Sequence, residues 1–166
     1  MNLQGKLIEK KNLFFTKKNI YLFLLAIAIF AFDRFTKIKI LNDFSDSVFF
    51  INGLINIDLI WNTGIGFGLF STESSTIYNL VTILICLVIL VLFYTAVVST
   101  KSDGFIFSII IGGALGNVYD RLIFNAVPDF IDLHYNNFHW FTFNLADIFI
   151  TLGIIAFLMK GFFIKN

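Results

Sequence analysis

Four long apolar stretches, separated by polar ones, frame this chain: Ile20–Leu41, Ile77–Val98, Phe105–Phe124 and Leu145–Ile164. Each reads as a membrane-crossing helix, because ~20 apolar residues rising ~1.5 Å apiece match a hydrocarbon core of ~30 Å. The first stretch is unusual. Its uncharged part, Ile20–Phe32, is too short to cross, so the span must take in Asp33, Arg34 and Lys37. Asp33 and Lys37 stand four apart and share a helix face. Two readings stay open for them: snorkelling with a structural ion pair, or support for a nearby site.

Between the spans the pattern changes period. In residues 42–75, VFFINGLINIDLIWNTG mixes β-branched and aromatic residues around Asn52-Gly53, which predicts a hairpin in a small β-structure on the membrane surface. GIGFGLFSTES, beginning at Gly64 just after Asn62, predicts a short interfacial helix or a re-entrant turn. Residues 99–104 form a tight polar turn, and 125–145 a polar loop. Gly112 and Gly116 give the third span a small-xxx-small face for close helix approach.

Composition agrees with the pattern. The chain is 58% hydrophobic and 14% charged, with a mean hydropathy of +0.86, far too apolar for a soluble domain of 166 residues. We expect a single membrane domain over 19–166 behind a basic tail, 1–18. A net charge of +1 offers nothing to nucleic acid. Cys86, the only cysteine, excludes a disulfide scaffold and reads as a packing residue. Charge placement is more informative than its sum. Lys6, Lys10, Lys11, Lys17, Lys18, Lys101, Lys160 and Lys165 fall on the side holding both termini, where the only acids are Glu9 and Asp103. The positive-inside rule makes that side cytoplasmic and turns 42–75 and 125–145 outward. The apolar run after the tail ends in Asp33-Arg34 with no small-residue cleavage site, so it reads as the first span, not a signal peptide.

The costly residues cluster at the outward ends. Asp129 follows the third span and Asp147 lies in the first turn of the fourth, so antiparallel packing brings the two carboxylates to similar depth. Two close carboxylates in a low-dielectric site share one proton, which supplies a general base and a general acid together. The bland alternative is a helix cap at Asp147 and a loop carboxylate at Asp129. Asn117 and Arg121 share one face of the third span. Arg121 could anchor a substrate backbone or a lipid phosphate, or pair with Asp120. Asn144 could cap the fourth span or bond a substrate. His134 and His139, with Asp129 and Asp132, raise the question of a metal. Their spacing matches no helical zinc pattern, and beside Tyr135 and Trp140 they read as interface residues. No metal or cofactor is expected.

Five blocks in order carry a resemblance: DRFTK (33–37), Asn62-Thr63-Gly64 with Phe67-Gly68, GGALGNVYDR (112–121), VPDF (127–130) and FNLAD (143–147). The chain resembles the lipoprotein signal peptidases (signal peptidase II), aspartyl proteases of the bacterial inner membrane. The resemblance implies four transmembrane helices, in an otherwise all-α membrane protein, with a small extracytoplasmic β-cradle and a short interfacial helix. It implies a prolipoprotein substrate whose lipobox Cys carries a diacylglyceryl group and which is cut before that Cys. It also implies contact with membrane lipid, inhibition by peptide antibiotics such as globomycin, and a monomer. Asp129 and Asp147 match the catalytic dyad, with Asp132 a rival to Asp129. Asn62, Gly64, Asn117, Arg121 and Asn144 match its polar surroundings, and Asp33, Lys37, Gly113 and Asp120 match structural positions. The glycines at 64, 66 and 68 suggest a lid over 65–70. The competing classes are a non-enzymatic membrane protein that uses its buried charges for ions or packing, and a metalloprotease built on the two histidines.

Overall fold

A computed structural model describes residues 14–45, 47–64, 75–136 and 138–164. Four helices long and apolar enough to cross a membrane form a bundle: α1 (Lys17–Asp43), α2 (Ser75–Val98), α3 (Lys101–Phe124) and α4 (Leu145–Ile164). A four-stranded antiparallel sheet sits at one end, in the order β1 (Phe49–Phe50), β2 (Ile55–Asn62), β3 (Val127–Tyr135) and β4 (Phe138–Phe143).

Helix α3 is the centre of the bundle. Its most apolar window is 61% buried, against 28%, 22% and 11% for the windows of α1, α2 and α4. Its glycines explain how the others reach it. A Cβ at Gly112 would meet the Ala26 carbonyl oxygen of α1 at 2.7 Å, and one at Gly113 would meet the Ala146 oxygen of α4 at 2.7 Å. Gly116 leaves room for the Asp33 carboxylate. The small-xxx-small face of 112 and 116 thus serves α1, and Gly113 serves α4. Ile106, Phe107, Ile110, Ile111, Ala114 and Val118 of α3 fill the core with Ala26, Ile89 and Ala96. The Leu, Ile and Phe side chains on the outer faces of α1, α2 and α4 stay exposed, as helices solvated by lipid require.

Caps tie down the end of the bundle opposite the sheet. Thr16 accepts from Asn19 N at 3.2 Å to start α1, and Thr100 accepts from Asp103 N at 3.2 Å to start α3. Lys18 Nζ donates to the carbonyls of Val97 and Ser99, each at 2.8 Å, satisfying the end of α2.

The sheet differs from expectation in one respect. The Asn52-Gly53 hairpin is present: Asn52 Oδ1 accepts from Leu54 N at 2.9 Å and Ile55 N at 3.0 Å. However, 125–145 is not a polar loop. After Asn125, which ends α3 in the left-handed region at φ 54°, the chain forms β3 and β4, half of the sheet. Strand β3 hides in the pattern because residues 127–130 are all buried, so the alternation that announces a strand is missing. The expected interfacial segment and lid, 65–74, and most of the basic tail, 1–13, lie outside the described residues.

Candidate active site

Below the sheet, α1 and α3 share a group of buried charges. Lys37 Nζ lies 2.9 Å from Asp33 Oδ2 and 2.7 Å from Asp120 Oδ2, and all three side chains are 0% exposed. Lys37 therefore does not snorkel. Three charges out of reach of water are stable only when paired, and leaving one unpaired costs ~3–5 kcal/mol. Asp120 also pairs with Arg34, whose guanidinium stands 4.5 Å over the ring of Tyr119. Asp120 is thus engaged from α1 and not by its neighbour Arg121. Asp33 Oδ1 accepts from Ala146 N at 3.0 Å, so the same cluster grips the first turn of α4.

That turn carries Asp147. Asn144 caps α4 reciprocally: its Oδ1 accepts from Asp147 N, and its own N donates to Asp147 Oδ2, both at 3.2 Å. Asn117 Nδ2 donates to Asp147 Oδ1 at 2.8 Å. Asp129 comes down from β3, where it pairs with Ile60 of β2. Asn62 Nδ2, at the end of β2, donates to Asp129 Oδ2 at 2.8 Å, and Asn144 Nδ2 donates to Asp129 Oδ1 at 2.6 Å. Asn144 therefore holds both carboxylates at once. Burial pushes the Asp129 carboxyl up to about 6, with the neighbouring Asp147 charge as the second cause. The bonds from Asn62 and Asn144 and the charge of Lys37 act the other way.

Arg121 closes a second circuit. Its Nη2 donates to the Gly64 carbonyl at 2.8 Å, Gly64 N donates to Asn62 Oδ1 at 2.7 Å, and Asn62 reaches Asp129. The Arg121 guanidinium also stands 6.0 Å from the ring of Tyr78, a buried residue of α2 that no motif singled out. Asp132, the rival carboxylate, is taken up elsewhere: His139 Nδ1 lies 2.7 Å and His134 Nδ1 3.5 Å from its Oδ2, with the two rings stacked. Among the described residues, no group of three or more His, Cys, Asp or Glu side chains is arranged to hold a metal ion. Sequence reasoning brought Asn62, Gly64, Asn117, Arg121, Asn144, Asp129 and Asp147 to one place. It missed the backbone link from Asp33 to Ala146, which has no side-chain signature.

Known proteins share this architecture. The family model for signal peptidase (SPase) II matches residues 25–163. The chain belongs to the signal peptidase II family. Two proteins called lipoprotein signal peptidase are among its relatives. That of Pelagibacter ubique is 48% identical over 90% of this chain and 92% of its own. That of Francisella tularensis subsp. novicida is 35% identical over 87% and 92%. Two solved structures of bacterial membrane enzymes superpose with a TM-score of 0.72, at 28% and 26% identity. They cover 88% and 84% of this chain and 90% and 91% of theirs. This signal peptidase II chain is accordingly a multi-pass bacterial membrane protein and a protease of the aspartic type, and two carboxylates held by a shared asparagine suit that class.

Proposed function

We propose that the chain removes signal peptides from diacylglyceryl-modified prolipoproteins, cutting before the lipidated Cys, with Asp129 and Asp147 as the catalytic pair. The observation that carries this reading is the double grip of Asn144 on both carboxylates at the sheet end of the bundle. Asp129, with its proton retained to about pH 6 in the free protein, is the acid. Asp147, in the first turn of α4 and under the positive end of that helix, is the base. Asp147 takes a proton from a water that attacks the scissile carbonyl, while the Asp129 proton passes to the carbonyl oxygen. The tetrahedral intermediate collapses as the C–N bond breaks, the proton taken by Asp147 passes to the leaving amine, and the new hydroxyl returns a proton to Asp129. Asn62, Asn117, Asn144 and the Arg121–Gly64 circuit hold the pair in place, while Asp33, Lys37, Gly113 and Asp120 brace the helices that carry it.

Helices α2 and α4 flank α3 without filling the space between them, which leaves an apolar groove of about 480 Å³ along Leu84, Val88, Phe107, Ile110, Ile154 and Phe157. A helical signal peptide or an acyl chain can lie there and reach the carboxylates sideways from the bilayer. In this reading the sheet and the site face the periplasm of the inner membrane and both termini are cytoplasmic. A basic tail, 1–18, precedes a single peptidase domain, 19–166, that acts as a monomer among lipids. Globomycin-type peptides compete for the same site.

Cleavage of a diacylglyceryl-modified prolipoprotein peptide by the purified full chain tests the reading. Wild type should cut, and Asp129→Asn and Asp147→Asn should each lose at least ~1000-fold in kcat while staying folded. Near-normal turnover in either variant makes that carboxylate structural. No cutting by wild type overturns the substrate.

A further inference from the structure

The buried charge cluster is commonly satisfied by an ion pair alone, yet here it continues to the active site. A lysine ammonium has three donors and no acceptor. Lys37 Nζ lies in ion-pair contact with Asp33 at 2.9 Å and Asp120 at 2.7 Å, and donates a hydrogen bond to Asn117 Oδ1 at 2.8 Å. The third contact matters most. The two ends of an asparagine amide have nearly the same shape but opposite hydrogen-bonding sense, so packing alone sets no preference between its two orientations. A donor-only neighbour does. With Lys37 facing it, Asn117 must turn its oxygen toward α1 and its NH2 toward α4, where Nδ2 meets Asp147 Oδ1 at 2.8 Å. Flipped, the amide would press its NH2 on an ammonium and its oxygen on a carboxylate, a repulsion at both ends.

We propose that Lys37 is a positioning residue for catalysis: through the amide of Asn117 it fixes the orientation of the Asp147 carboxylate. The proposal rests on Asp147 being catalytic. It gives the cluster a purpose beyond holding α1 to α3, since Asp33 also bonds Ala146 N in the turn that carries Asp147. Asp33 holds the backbone of that turn, while Lys37 reaches the Asp147 carboxylate through Asn117. The charged groups around this relay are Asp33 and Arg34 on α1, Asp120 and Arg121 on α3, Asp147 on α4 and Asp129 on β3.

A double-mutant cycle in the full chain, read with the lipidated prolipoprotein peptide, tests this. Lys37→Met and Asn117→Ala should each lower kcat about 10- to 100-fold with KM within about threefold, as misplaced catalytic groups do. Added to Asn117→Ala, Lys37→Met should cost less than about threefold more, because the interaction it serves is already gone. Fully multiplicative losses would overturn the proposal and leave Lys37 a brace. Lys37→Met leaves buried Asp33 without its cation while Asp120 keeps Arg34, so a charge-balanced arm, Lys37→Met with Asp33→Asn, is run through the same cycle, with detergent-solution unfolding as the check on folding. Asp147→Asn is measured alongside. If that variant keeps its activity, the dyad fails and not merely the relay.

Discussion

Asn144 shows how much one side chain can do at the residue scale. It caps α4, donates its backbone N–H to Asp147 and its amide to Asp129. Asn144→Ala should therefore lower kcat by about 100-fold or more, the usual loss when a preorganised donor disappears from a dry site. Turnover within tenfold of wild type would show that the two carboxylates keep their places unaided. Asp129 makes a pH prediction with a definite sign. Its proton is held to about pH 6 in the free protein, so kcat/KM should fall as pH rises through 6. Asn62 stabilises the charged form, so Asn62→Ala should shift that limb to higher pH, and an unmoved limb would mean another group sets it. The linked stability follows the same direction. An unfolded Asp titrates near 3.8, so the native chain binds the extra proton between about pH 4 and 6, and stability declines across that window as pH rises, by on the order of 3 kcal/mol.

Among the elements, α3 decides where everything else sits, and its glycines are the contact points. Gly113→Ala should press a methyl group on the Ala146 carbonyl at 2.7 Å and displace the first turn of α4 with Asp147. The expected result is at least a tenfold loss of kcat and a lower Tm, whereas Gly161→Ala, with open space around it, should change neither. Equal effects of the two would remove the role of Gly113. The two hairpins show where legibility ended. Asn52-Gly53 announces the first because a turn with free backbone geometry needs those residues. The second reads as a loop because Asp129, Asp132 and His134 interrupt the apolar alternation of β3. Asp129 is satisfied by Asn62 and Asn144, and Asp132 by His139 across the hairpin, pairings that local patterning does not reveal.

At the scale of the whole molecule, the proposed topology puts both ends on the cytoplasmic side and the site on the other. Orientation is testable in a Cys86→Ala background with Tyr135→Cys or Ser102→Cys added singly. An impermeant maleimide should label position 135 in cells with a permeable outer membrane and position 102 only after the inner membrane is opened; the reverse would invert the topology. The amino-acid sequence by itself determined the number of spans, their lengths, the charge asymmetry across the membrane and the chemical types gathered near one face. Those properties follow from hydrophobic length and local periodicity, which add up along the chain. Only the tertiary structure decided which polar group meets which. That Lys37 addresses Asn117, that Asp120 turns to α1, and that Asn144 serves both acids depend on how α1, α4 and β3 dock around α3. In a dry interior each buried donor or acceptor must find its partner across elements far apart in sequence, and those pairings exist only once the helices and the sheet have come together.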